Sequence, residues 1–504
     1  MRKLGELLRD LADPEKINVE NLNVIKSACS DHLHHNRLEF SSSLQNSDLS
    51  QLFVVLANLK NEEIQLFCQI LRTLLDCVPC QLILTKYERY ITEALREQCN
   101  DDIQKLVLQQ LLRCARDEKV RPNLVANTTL LAYVIDRFAS MTLNDSVKSL
   151  LLELTTHSID ALKILFSGDL LQRLEAVQQK GSVENLRVLE LFCQVACQSE
   201  ANCKKMAQLL DKVVESLKRE KSDMLVLLNY IELLRILVSK PYTMDYIRSS
   251  TAVEILKDLL SHPDDPNATF YMPGVLLFFG EFGLHNPIAL VHEHTAVVKV
   301  IFETARLGSP FAPTAMAAVG QIARTRDGKR CIEENLSREM AAYMRDIGKC
   351  LEMTNYSAEH KMSALIAVQS ILEMEEYDQL DVITLSEKWM SCLSTTPLAL
   401  LWKCAKTPFP NERLAALRVM KNIALLPWGR QGLLELPGSY EWLLDRNTEP
   451  DKAGKEIKHA IVAALLEEAN SIKDVAQVKG LRKFYAEGPF YSPADVAIAT
   501  EGGS

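Results

Sequence analysis

Positive charge is in the minority in this chain: 57 lysines and arginines stand against 66 aspartates and glutamates, a formal net charge of -9. Sequence-independent nucleic-acid binding draws its affinity from cations that neutralise phosphates. DNA and RNA are therefore excluded as expected partners, and basic or apolar protein surfaces suit the balance better. Glycine and proline are scarce, 18 of each in 504 residues, while 47% of residues are hydrophobic, so neither a disordered nor a collagen-like chain fits. Long apolar runs are missing too. In NATFYMPGVLLFFGEFG (267–283) the run beginning at Val275 is interrupted at Glu281, against the roughly 20 apolar residues a bilayer core demands. No membrane span is expected. The amino terminus, MRKLGELLRDLADPEK, carries charges every few residues and no apolar stretch behind its basic start. No secretory signal is legible there, and the expected compartment is the cytoplasm, with the nucleus open.

Catalytic and metal-binding signatures are equally hard to find. Gly274, Gly280 and Gly283 lack the G-x-x-x-x-G-K-[ST] order of a phosphate loop and a strand before them. Cys77-Val78-Pro79-Cys80 has the spacing of a redox pair, but it follows the helical pattern I-L-R-T-L-L-D, whereas a reactive thiolate is stabilised at a helix amino terminus after a strand. A core-and-turn role is expected for both cysteines. The thirteen cysteines are odd in number and scattered among helical patterns, as small core residues in a reducing compartment are. His32, His34 and His35, and later His292-Glu293-His294, miss the i, i+4 spacing of a zinc helix. Adjacent carboxylates, Glu375-Glu376 and Glu467-Glu468, point apart on a helix and read as solvated faces. No enzyme, cofactor or metal is expected.

What the chain has is self-similarity. Val319/Ile322/Ala323, Val368/Ile371/Leu372 and Met420/Ile423/Ala424 each place apolar residues at i, i+3 and i+4, one face of a helix. Two of the three are followed by a glycine and a cation, Gly328-Lys329 and Gly429-Arg430. The triplet extends backwards through Phe279/Phe282/Gly283, Leu233/Ile236/Leu237, Phe192/Val195/Ala196, Leu151/Leu154/Thr155, Leu111/Cys114/Ala115 and Leu71/Leu74/Leu75. The spacing is roughly 40 to 50 residues, in or near the range of HEAT and armadillo repeats. The position before each middle member is always polar: Thr73, Arg113, Glu153, Gln194, Arg235, Glu281, Gln321, Ser370 and Asn422.

This pattern predicts an all-α, curved solenoid of HEAT/armadillo-like repeats, continuous over 1–491 with room for a bend near 261–287, and a loose tail over 492–504. Pro273 is expected in the first turn of its helix, where proline is tolerated, and the nearby glycines are expected to let helices approach closely. Turns are expected at 261–267, 308–313, 407–411 and 447–454. The best strand candidate, LILTKYERYI (82–91), reads equally well as helix. A residue just before each middle member is rotated about 100° off the core stripe, toward solvent. Arg235, Glu281, Gln321, Ser370 and Asn422 are therefore the candidate partner-binding positions. A different helical-repeat adaptor, of transport or trafficking, fits the repeats alone as well.

Several segments carry a resemblance. Phe270-Tyr271-Met272-Pro273-Gly274 with Phe278-Phe279-Gly280, Pro408-Phe409-Pro410 with Ala415-Ala416-Leu417, Pro427-Trp428, Asp445-Arg446, Leu481-Arg482 and Glu487-Gly488-Pro489-Phe490-Tyr491 together resemble the non-ATPase regulatory subunit 5 family of 26S proteasome base assembly chaperones. The resemblance implies a repeat protein that binds the C-terminal domain of a proteasomal ATPase subunit. It also implies escort of a module of two ATPases and a large non-ATPase scaffold subunit, and departure before the mature particle forms.

Overall fold

A computed structural model describes residues 4–45, 47–220, 223–375, 380–472 and 474–492. Among these residues the chain forms thirty α-helices and four short 3-10 turns, with no strand. The strand candidate at 82–91 divides between two short helices, Cys80–Thr85 and Glu88–Ala94. The predicted turns fall between helices: one helix ends at Leu260 and the next starts at Ala268, and Pro410 and Lys452 open helices after the breaks at 407 and 447. The tail at 493–504 lies outside the described residues.

The chain divides into two compact units, Met1–Glu215 and Ser216–Ser504. In the first unit the helices Asn61–Leu75, Asp101–Arg116, Asn144–Thr156 and Ser182–Ala196 pack in succession. In the second the row is Met224–Val238, Ala268–His285, Ala312–Ile322, Ala358–Ile371, Pro410–Leu425 and Lys452–Glu467, each packed on the next. Shorter helices flank both rows. The helices that carry the nine apolar triplets are the stacked ones, and every triplet residue is buried except Ile236, which is half-buried. The row has one member more than the sequence pattern showed. Ile461, Ala464 and Leu465 on the 452–467 helix are buried in the same register, but Ala463 stands in the polar column and masks the repeat.

The 268–285 helix shows why apolar residues cover its whole circumference. Phe278, Phe279 and Phe282 are fully buried, the first two meeting edge to face at 5.3 Å, and each such burial contributes about 1.5–3 kcal/mol. A helix enclosed on several sides keeps little wet face to make polar; here it is at the amino-terminal end, where Thr269 and Phe270 are exposed. Close approach depends on small residues. A Cβ on Gly280 would stand 3.0 Å from the Ala318 Cα, and one on Gly320 2.9 Å from the Ala367 Cα, so three consecutive helices meet backbone to backbone. Pro273 departs from expectation. The helix begins at Ala268, which puts the proline inside it rather than in its first turn, and the hydrogen bond from that position to Thr269 cannot form. No single helix among the described residues is long and apolar enough to cross a membrane. The 268–285 helix and Pro287–Glu293 reach such a composition only together, across a 116° bend.

The glycine-cation pairs have a local cause. A Cβ on Gly328 or Gly429 would overlap the carbonyl oxygen of Ile322 or Ile423, so only glycine lets the chain turn back under the helix it has just left. The cation that follows then serves that helix end. Lys329 Nζ donates to the carbonyls of Arg324 at 2.5 Å and Glu373 at 2.8 Å, and Arg430 Nη2 donates to Leu425 O at 3.3 Å. Carbonyls at a helix carboxyl end have no partner within the helix and carry partial negative charge. A cation there satisfies both needs.

Candidate partner-binding surface

The polar column runs along the seams between stacked helices. Arg113 donates to the carbonyls of Leu75 and Val78 at 2.8 Å and Asp76 at 2.9 Å, closing the carboxyl end of the preceding row helix. Glu153 accepts from Arg116 Nε at 3.3 Å. In the second unit Arg235 pairs with Glu281 on the next helix at 3.2 Å and with Glu232 on its own at 2.9 Å. Asn422 Nδ2 donates to Gln369 O at 3.0 Å, again across a seam. The side chains of Arg235 and Glu281 keep only 22% and 30% of their surface exposed, Gln321 and Asn422 are half-buried, and Ser370 is buried. The expected rotation toward solvent is therefore only partly realised. Column side chains meet a neighbouring row helix instead: Glu281 takes Arg235 from the helix before it, and Asn422 reaches Gln369 O on the helix before its own.

Side chains near the column along the row are better exposed. Phe270 is 59% exposed, Ile366 42% and Leu425 39%. Around Asn422 the 358–371, 410–425 and 452–467 helices enclose a groove of about 430 Å³, lined by Gln369, Arg418, Lys421, Asn422, Glu456 and Ile457 with Ala453 and Ala460. Arg418 and Lys421, one turn apart, are exposed, and neither is paired with a carboxylate among the described residues. Two nearby arginines, by contrast, are paired: Arg324 with Glu373 at 2.7 Å, and Arg413, buried, with Glu449 at 3.0 Å. Glu456, on the far rim, has Lys452 at 3.7 Å. Sequence reasoning picked Asn422 but missed Arg418 and Lys421. The available signal was their spacing, four residues and one residue before Asn422, on the same helix face or beside it.

Cys77 follows the 61–75 helix, its thiol directed to Thr73 O at 3.6 Å, while Cys80 opens the next helix. The thiol of Cys80 is pulled below the usual thiol range, chiefly by a hydrogen bond with Cys114 and also by the Arg113 guanidinium. Its neighbour in space is Cys114, whose sulfur lies 3.8 Å from Cys80 O, because Pro79 turns Cys80 onto a helix that packs against 101–116. Both thiols are buried. Glu293 is held by Arg248 at 2.6 Å, and the described residues contain no group of three potential metal ligands. The side chains of His32, His34 and His35 lie outside the described residues, as does Glu376.

The residues that carry the family resemblance are largely structural. Arg446 donates from Nε to Gly488 O at 3.0 Å and from Nη2 to Phe484 O at 3.1 Å, and pairs with Glu487 at 3.2 Å. Its guanidinium also lies 4.0 Å from the centre of the Phe484 ring. The Asp445-Arg446 and Glu487-Gly488 segments are thus two halves of one clamp on the end of the Val475–Glu487 helix. Gly488, at φ +85° and ψ 169°, ends that helix in a positive-φ backbone conformation that favours glycine.

A family model described as Proteasome non-ATPase 26S subunit matches residues 2–504. The chain is 28% identical over 418 residues to the Bos taurus protein named 26S proteasome non-ATPase regulatory subunit 5, covering 80% of this chain and 81% of that one. It is 28% identical over 512 residues to the Mus musculus protein of the same name, covering 98% of each. Among solved structures, yeast importin-beta (Kap95p) is similar with a TM-score of 0.55 at 12% identity, over 96% of this chain and 62% of that one. That likeness is one of fold, a HEAT-repeat solenoid.

Proposed function

Because the chain belongs to the proteasome non-ATPase 26S subunit family, we propose that it is an assembly chaperone of the proteasome regulatory-particle base. In this reading it binds the C-terminal domain of an ATPase subunit, escorts a module of two ATPases and a large non-ATPase scaffold subunit, and is absent from the mature particle. The observation that carries the reading is the family match over residues 2–504. The stacked row supports it physically: repeat arrays offer extended surfaces on which a partner is held without chemistry. The contact line proposed follows Arg235, Glu281, Gln321 and Asn422 and the exposed side chains beside them, with Ser370 beneath it. Release follows from competition, since a surface needed in the finished complex displaces its escort by mass action. No catalytic step or cofactor is required, and the compartment proposed is the cytoplasm together with the nucleus.

The test is a pull-down of the intact protein against each isolated ATPase C-terminal domain, with mature 26S particles as the comparison. Binding of one domain, and absence from mature particles, is the expected result. Capture of none of the domains, or stoichiometric presence in mature particles, refutes the chaperone reading.

A further inference from the structure

We propose that the groove formed by the 358–371, 410–425 and 452–467 helices binds an acidic, amphipathic protein segment. Carboxylates of the segment sit at Arg418 and Lys421, and its apolar side chains lie on Ile457 and Ala460. Only the identity of the protein bearing that segment rests on the chaperone reading.

Charge complementarity is the ground for it. In a chain of net charge -9, Arg418 and Lys421 are an exposed arginine and lysine one turn apart, neither paired with a carboxylate among the described residues. Along the same row Arg235, Arg324 and Arg413 are all engaged with carboxylates. Two such cations on one rim of a groove present a potential that selects negative groups and disfavours positive ones. The opposite rim carries Glu456, partly offset by Lys452 at 3.7 Å, so the groove is polar across its width and orients what it binds: carboxylates toward 418–421, neutral or basic groups toward 456. The 452–467 helix also lines the groove with apolar Ala453, Ile457 and Ala460. Ile366 and Leu425, on two of the helices that form the groove, are also exposed.

The chemistry fits a peptide better than a small anion. A site for a free anion surrounds it with buried, converging donors, whereas these two cations are exposed at the edge of an open groove. Asn422 spends its amide on Gln369 O and keeps its side-chain oxygen to accept a backbone N–H. A nucleic acid would bring repeated phosphates past Glu456 and into an acidic chain, which its mode of binding opposes.

The experiment uses the full-length protein and a fluorescein-labelled amphipathic peptide of glutamate and leucine, followed by anisotropy. A lysine-leucine peptide and a single-stranded DNA oligonucleotide serve as rival probes. Binding of the glutamate peptide should weaken by about tenfold or more in R418E/K421E and decline with added salt as screening shortens. It should be unchanged in K299E/R338E, a reversal of equal charge on two exposed residues of flanking helices. R418Q/K421Q should lie between, and serves in place of the reversal should that variant melt early. Equal binding to wild type and R418E/K421E, no binding to wild type, or preference for the lysine peptide or the oligonucleotide overturns the inference. The ATPase-domain pull-down is scored separately. Failure there with success of the peptide removes the chaperone reading and leaves the groove, and the converse removes the groove alone.

Discussion

Replacing Arg413 with methionine is expected to cost far more than the loss of one ion pair. Arg413 is 6% exposed and Glu449 1%. Its Nε meets Glu449 Oε2 at 3.0 Å, Nη2 meets Asp451 at 3.0 Å, and Nη1 donates to Thr407 O at 3.2 Å. Burial already pushes the Glu449 carboxyl above the usual range, with Arg413 as the main opposing influence. Removing the guanidinium leaves a carboxylate in the interior without its counter-ion. Breaking a buried pair from one side typically costs about 3–5 kcal/mol, for a unit this large a fall in Tm on the order of 10 °C.

The pH dependence has a definite sign. A carboxyl whose folded-state pKa is raised binds its proton more tightly folded than unfolded, so stability falls as pH climbs through that interval. The deficit of R413M should therefore be smaller in mild acid, where Glu449 is protonated, and larger above neutrality. The double variant R413M/E449L removes both charges, and apolar replacement of a buried pair is often neutral. It should return to within about 1 kcal/mol of wild type. Asp451, half exposed, loses little. Urea denaturation followed by circular dichroism at pH 5 and 8 measures the global effect, and hydrogen exchange over residues 407–467 the local one. A cost below about 1 kcal/mol for R413M, or no recovery in the double variant, would refute the reasoning.

Three further outcomes are expected. Gly320→Val drives a branched side chain against the Ala367 backbone and should destabilise the second unit by about 1–3 kcal/mol despite valine's better helix propensity, as thermal melting will show. Burial lowers Lys458 from its ordinary 10.5 to about 8, while its Nζ donates to Asp445 O at 2.8 Å. The unfolded chain then holds more protons between pH 8 and 10.5, so stability should rise across that window by at most about 3 kcal/mol, and K458M should flatten the rise. Finally, R235E and E281R should each cost about 1 kcal/mol and weaken binding of the ATPase domain. The swapped pair R235E/E281R should regain stability by denaturant titration, and unchanged affinity in all three variants would take this seam out of the interface.

The repeat was legible because burial imposes a period. Residues such as Val319, Ile322 and Ala323 must share one helix face to leave water together, and that requirement recurs in each stacked helix. The row helix at 452–467 escaped notice because Ala463 carries no polar mark. The glycine-cation pairs were visible as a motif, but their role was not: that Lys329 reaches Arg324 O depends on where the chain turns after Ile322. Pro273 was misplaced because a helix start was inferred from proline's preference, whereas the buried Tyr271 and Met272 draw the helix back to Ala268.

The polar column marks the division most sharply. By itself the sequence determined the fold class, the repeat length, nine of the helices that stack and the polar character of their seam positions, because each follows from apolar residues recurring along one chain. Only the tertiary structure decided what those polar residues meet. Across the seams Arg235 finds Glu281 and Asn422 finds Gln369, while Arg418 and Lys421, on the same helix as Asn422, find no carboxylate among the described residues. The spacing between helices sets that outcome, and residues distant in sequence set the spacing.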